Sequence, residues 1–134
     1  MMAGRAFVLV ADDIPDNRQM YAEYLEYEGY RVEQACNGEE AVALAGALMP
    51  DLIVMDLSMP TMDGWEATRL LKGDPVTQSI PILVVSGHAF GPAELRARDA
   101  GADAFVTKPC LPAQLVEKIA AMLAGGPLSC ESSL

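Results

Sequence analysis

At 134 residues, 51% of them apolar, the chain has the length of one domain and the apolar content for one core, which excludes a second domain of comparable size and compositional disorder. Nineteen acidic residues against 9 basic ones give a formal charge of -10, which argues against direct DNA or RNA binding, because phosphate neutralisation needs a basic face, and favours protein partners. Three cysteines (Cys36, Cys110, Cys130) form no CxxC pair and imply neither a disulfide framework nor a zinc site, and the short apolar opening suits neither export nor membrane insertion, so the expected location is cytoplasmic.

Residues 6–11 (Ala6-Phe7-Val8-Leu9-Val10-Ala11) form a short continuous apolar run, the pattern of a strand buried on both faces, and Asp12-Asp13 end it. Pro15 suits the first turn of a helix to about Glu28, with Met20, Tyr21, Tyr24 and Leu25 at helical spacing and Gly29 as its stop. A weaker strand over about 31–35 follows. Asn37 is the predicted N-cap of a helix carrying Ala41, Val42, Leu44, Ala45 and Leu48, which Pro50 terminates. Leu52-Ile53-Val54-Met55 is a third strand ending at Asp56. Pro60 and Asp63-Gly64 then mark a loop before a helix to about Lys72, broken by Gly73-Asp74-Pro75. The fourth strand is predicted over Ile80 to Val85, a helix over about 91–99 from Pro92 to Gly101, and the fifth strand over Asp103 to Thr107. A last helix over about 112–124 puts Leu115, Val116, Ile119, Ala120 and Leu123 on one face. One domain over residues 1–124 with a flexible tail over 125–134 is the expected organisation.

Five strands alternating with five helices imply a doubly wound α/β domain with a parallel sheet covered on both faces. In such sheets ligands bind outside the carboxyl ends of the strands. There the sequence places Asp12 and Asp13 after the first strand, Asp56 after the third, Ser86 after the fourth and Lys108 after the fifth. Two carboxylates about 5 Å apart repel by about 3 kcal/mol at an effective dielectric near 20, so three in one crevice call for a cation. Lys108 supplies one positive charge, and an all-oxygen setting suits a hard ion, with Mg2+ the predicted metal. A carboxylate beside such cations is a nucleophile toward a phosphoryl group. Asp56, on the central strand, is the predicted acceptor, and Asp12 and Asp13 the predicted metal ligands.

Together, Val8-Leu9-Val10-Ala11-Asp12-Asp13, Asp51 through Pro60, Met62-Asp63-Gly64, Ser86-Gly87-His88-Ala89, and Gly101-Ala102-Asp103 through Lys108-Pro109 resemble the receiver domain of two-component response regulators over about residues 5–124. The resemblance implies a flavodoxin-like (βα)5 fold with strand order 2-1-3-4-5. It further implies Asp56 as phosphoacceptor, direct Mg2+ binding by Asp13, Asp56 and the backbone carbonyl of Ser58, and help from Asp12 through water. Ser86 and Lys108 are then expected at the phosphoryl oxygens, with the Lys108-Pro109 bond cis. Ser86 stands where threonine is commoner and keeps the hydroxyl. Phosphorylation is expected to draw Ser86 and its loop inward, let Phe105 move in, and rearrange the face of the fourth helix, fifth strand and last helix for partners. Phe105 is an accepted alternative to tyrosine there.

The implied partners are a histidine kinase or histidine phosphotransfer protein as donor and a downstream protein as target, with output through protein contacts because no effector segment follows residue 124. A stand-alone receiver and one excised from a hybrid kinase both fit. A phosphorylation-independent interaction module is disfavoured by the intact acids and lysine. A hydrolase working through an aspartyl phosphate would need Asp-x-Asp, whereas Asp56-Leu57-Ser58 lacks the second carboxylate, and a flavin site lacks its phosphate loop. The chain is expected to be a phosphoacceptor that assists its own phosphorylation and dephosphorylation, not an enzyme acting on a separate substrate. His88, the only histidine, is read as a rim residue, Met59 and Met62 as lying near the pocket, Trp65 as a packing residue and Cys130 as the most exposed thiol.

Overall fold

A computed structural model describes residues 6–56, 64–86, 101–107 and 110–124. The predicted helix over 91–99 and the tail over 125–134 lie outside those residues. The described chain runs β1 (Phe7–Ala11), α1 (Pro15–Tyr27), β2 (Arg31–Ala35), α2 (Gly38–Leu48), β3 (Leu52–Asp56), α3 (Gly64–Gly73), β4 (Ile82–Ser86), β5 (Ala104–Thr107) and α4 (Pro112–Leu123). All strand pairs are parallel, in the order β2-β1-β3-β4-β5. This is the predicted doubly wound, flavodoxin-like sheet.

Alternation along the strands splits the core in two. Leu9, Ala11, Ile53, Met55, Ile82 and Val84 pack with Ala41 and Ala45 of α2 and Ala67 and Leu71 of α3. Val8, Val10, Leu52, Val54, Leu83 and Val85 pack with Tyr21 and Leu25 of α1 and Leu115, Ile119 and Met122 of α4. Each buried Val, Leu, Ile or Met side chain among them contributes about 1.5–3 kcal/mol by leaving water. Because β1 and β3 are inside the sheet, every residue of both is buried, which is why they read as unbroken apolar runs. β2 is an edge strand in which only Ala35 is buried, so its polar residues weaken the sequence signal.

Helix ends follow their chemistry. Gly29, at φ 102, closes α1 with paired bonds from Gly29 N–H to the Glu26 carbonyl and from Tyr30 N–H to the Leu25 carbonyl, both 3.0 Å. The Asn37 side chain accepts from Glu40 N–H at 2.7 Å, and the Glu40 carboxylate accepts from Cys36 N–H at 2.7 Å. The bond from Cys36 N–H, followed by a hydrogen bond from the Cys36 thiol, holds the Glu40 carboxyl below its usual range.

Two strand starts differ from expectation. β4 begins at Ile82 rather than Ile80 and includes Ser86. Pro81 has no N–H for the ladder, although its carbonyl accepts from Ile53 N–H at 2.9 Å. Ile80 is buried all the same, its carbonyl accepting from the Lys72 ammonium at 2.8 Å. β5 begins at Ala104, because Asp103 is engaged just ahead of it. Its N–H donates to the Ile82 carbonyl at 2.9 Å and its carboxylate accepts from Ile82 N–H at 2.8 Å and pairs with Lys72 at 2.7 Å.

Candidate functional site

The carboxyl edge of the sheet is where β1 and β3 deliver their acids. Ala11 pairs with Met55, so Asp12 and Asp56 are the next residue on each strand. Asp12 N–H donates to the Ala35 carbonyl at 3.1 Å, which carries the parallel register one residue beyond β1. Asp12 and Asp56 are 3% and 2% exposed and Asp13 is half-buried. One oxygen from each of the three carboxylates lies within 4.8 Å of the others. The predicted convergence of Asp12, Asp13 and Asp56 is therefore present.

Neighbouring groups orient this cluster. The Asp12 carboxylate accepts from Ile14 N–H at 2.9 Å, closing a turn that starts α1. Arg18, one turn into α1, donates from Nη1 to the Asp12 carbonyl at 2.9 Å and from Nε to Gln34 at 3.1 Å. Asp13 Oδ1 is buried with no hydrogen-bond partner among the described residues. A buried carboxylate oxygen without a donor, beside two more carboxylates, matches the hard all-oxygen donor set of a divalent cation such as Mg2+.

Ser86 is the last residue of β4, not the first beyond it, and its backbone pairs with Thr107, one step past the pairing of Asp56 with Val85. Ser58, Lys108 and the Lys108-Pro109 bond lie outside the described residues, as do His88, Met59, Met62 and Cys130. Phe105 is half-buried and packs against the core face shared with α2 and α3, as does Trp65. Cys36, just after β2, is exposed and Cys110 buried. Burial pushes the Cys110 thiol up, and the Glu40 carboxylate does the same to Cys36, so neither is an activated nucleophile.

Sequence reasoning missed Arg18 and the role of Tyr21. Tyr21 is buried between α1 and the sheet and its hydroxyl donates to the Cys110 carbonyl at 2.9 Å. Burial, followed by the charges of Cys110, Asp12 and Asp56, pushes its phenol up to about 12. No sequence signal joins two residues 89 apart; only the fold does. No described helix is long and apolar enough to cross a membrane.

Residues 8–120 match the family described as response regulator receiver domain. The chain is similar to the polar-differentiation response regulator DivK of Brucella anthropi, 34% identical over 116 residues that cover 87% of this chain and 94% of the relative. It is likewise similar to protein PilH of Pseudomonas aeruginosa, 36% identical over 120 residues covering 90% and 99%. Among solved structures it is similar to the receiver domain of sensor histidine kinase PA1611 from Pseudomonas aeruginosa PAO1, which has a magnesium ion coordinated in the active site cleft. There the TM-score is 0.83 and the identity 26%, covering 90% and 99%.

Proposed function

This chain belongs to the response regulator receiver domain family, whose members are phosphorylation-dependent signalling switches, and we propose that here Asp56 is the phosphoacceptor, beside a Mg2+ ion held with Asp12 and Asp13. The observation that carries this reading is the meeting of three carboxylates at the carboxyl edge, with Asp56 on the central strand between β1 and β4. Asp13 and Asp56, with the Ser58 carbonyl, are the proposed direct ligands of the ion, and Asp12 a ligand through water. The ion supplies positive charge for the phosphoryl oxygens.

An Asp56 carboxylate oxygen forms the new bond to phosphorus as the bond from phosphorus to the donor nitrogen breaks, and the nitrogen leaves with the bonding pair. The donor is a phosphohistidine of a histidine kinase or phosphotransfer protein. The Lys108 ammonium and the Ser86 hydroxyl take the phosphoryl oxygens that face them, which stabilises charge without moving it. The chain thereby assists its own phosphorylation and later hydrolysis while acting on no separate substrate. The acyl phosphate then draws Ser86 inward, and Phe105 follows, altering the face that a downstream protein reads. The charge of -10 supports a protein target rather than DNA and fits a cytoplasmic, membrane-free setting.

Incubation with Mg2+ and acetyl phosphate, followed by intact-protein mass spectrometry, tests the reading. The wild-type chain should gain one phosphoryl group and Asp56→Asn none. Equal uptake by Asp56→Asn would move the acceptor elsewhere.

A further inference from the structure

We infer that Arg18 is a positioning residue for Asp13, acting through the hydrogen bond from its guanidinium to the Asp12 carbonyl. The inference rests on the Mg2+ reading proposed above. The Asp12 carbonyl belongs to the peptide that joins the two neighbouring acids, and that peptide is planar, so the direction of its oxygen fixes where the Asp13 backbone begins. Asp13 needs such outside support. Its Oδ1 is buried with no hydrogen-bond partner among the described residues, so no contact there tethers that oxygen. Asp12, by contrast, is held at its N–H by the Ala35 carbonyl at 3.1 Å and at its carboxylate by Ile14 N–H at 2.9 Å. The β1–β2 ladder ends with Ala11 against Ala35, and Asn37 already caps α2. The Asp12 carbonyl, just past the last pair of that ladder, takes its donor from Arg18 at 2.9 Å.

Arg18 is suited to hold that carbonyl in one place. Its N–H donates to the Ile14 carbonyl at the start of α1 at 2.9 Å, and its Nε donates to Gln34 on the edge strand β2 at 3.1 Å. A guanidinium is a rigid planar fork, so anchoring Nε to β2 leaves Nη1 little freedom at the carbonyl. One half-buried side chain thus ties α1 and β2 to the main chain between the two acids. Charge alone gives the arginine no such purpose, because a guanidinium near the acids repels a divalent cation and its removal should tighten binding of the ion. Positioning predicts the opposite sign.

Isothermal titration calorimetry with Mg2+ alone tests the inference without phosphorylation. Arg18→Met keeps an unbranched side chain and a good helix former while deleting the donors. Its Kd for Mg2+ should rise about 10-fold, the lower end of the cost of losing a group that orients a metal ligand, because the lost repulsion offsets part of it. Arg18→Lys keeps the charge and a donor without the fork, and its Kd should fall between the two. Gln34→Ala frees the guanidinium without touching its charge or α1; it should raise Kd about 2- to 3-fold and add nothing beside Arg18→Met. Saturating Mg2+ should return phosphoryl uptake by Arg18→Met to the wild-type rate, which a general loosening of the fold would not allow. Near-ultraviolet circular dichroism in EDTA establishes that each core is packed, and should Arg18→Met lose its packing, wild-type affinity in Gln34→Ala would overturn the inference by itself. Wild-type or tighter binding by Arg18→Met, equal weakening by Arg18→Lys, or slowed uptake that Mg2+ does not restore would overturn the inference and leave the ion site standing. Absence of any binding heat in the wild-type chain would overturn the ion site and this inference with it.

Discussion

Neutralising Asp13 should make the metal-free protein more stable, not less. The three carboxylates have oxygens within 4.8 Å of one another. At that distance each pair repels by about 3.5 kcal/mol at an effective dielectric of 20 and by about 0.9 kcal/mol in bulk water. Asp13→Asn deletes two of the three pairs, so the relief lies between about 2 and about 7 kcal/mol. Asp13 is the half-buried member, so water reaches it and the lower end governs. It is also the right member to change, because Asp12 holds the Ile14 turn whereas Asp13 Oδ1 has no hydrogen-bond partner to lose among the described residues. A gain of about 2 kcal/mol corresponds to a rise of about 6–10 °C in Tm for a chain of this size. Thermal melts by circular dichroism in EDTA measure it directly. Adding Mg2+ should stabilise the wild type, by about 2.7 kcal/mol at a hundred times Kd, and the variant far less. If Asp13→Asn melts at or below the wild type in EDTA, or keeps the full Mg2+ response, the repelling, ion-binding cluster is not what the geometry makes it.

Three further outcomes are expected. The Tyr21 phenol ionises at 10.0 when free and at about 12 in the fold, so the unfolded chain gives up its proton first. Its contribution is whole below pH 10 and fades as the pH rises toward 12, so between those values urea melts should show the wild type losing about 2–3 kcal/mol more than Tyr21→Phe. Asn37→Ala removes the acceptor for Glu40 N–H and should lower urea-melt stability by about 1 kcal/mol with phosphoryl uptake retained. Gly101→Ala should cost about 1–3 kcal/mol in the same assay, since φ at this position is 103 and the new Cβ would lie 2.9 Å from Lys72 Cγ. The Lys72 side chain cannot swing clear without leaving Asp103 and the Ile80 carbonyl.

Much of the fold was legible because burial on two faces makes β1 and β3 apolar up to the Asp56 that ends β3, and because Pro15, Gly29, Asn37 and Pro50 each mark a helix end by a local mechanism. The start of β4 was misjudged because Ile80 is buried for a tertiary reason, under the bonds of Lys72, and hydrophobicity does not distinguish that from membership of a strand. The acid cluster was readable because the register rule for parallel strands puts successive carboxyl ends at one edge. Arg18 and Tyr21 were not, since each acts on a backbone carbonyl, and any residue at Asp12 or Cys110 would supply one.

Five aspartates of this chain divide by which end of a strand they occupy, and the division explains how the site is held. Asp51 and Asp103 stand just before β3 and β5, and each clasps the first residue of a neighbouring strand in two directions. Asp51 donates its N–H to the Phe7 carbonyl at 2.7 Å and accepts from Phe7 N–H at 2.7 Å, as Asp103 does with Ile82. Those clasps set where β1 stands against β3 and β4 against β5. Strands of five residues rise about 16 Å to the opposite edge, where the same registers bring Asp12 level with Asp56 and the backbone of Ser86 opposite Thr107. Parallel strands have no tight turn to fix their register, so an error of one residue at the amino edge would arrive undiminished at the carboxyl edge and turn Asp56 to the other face of the sheet. The carboxylates at the amino edge are thus the ones that align the acid cluster at the carboxyl edge.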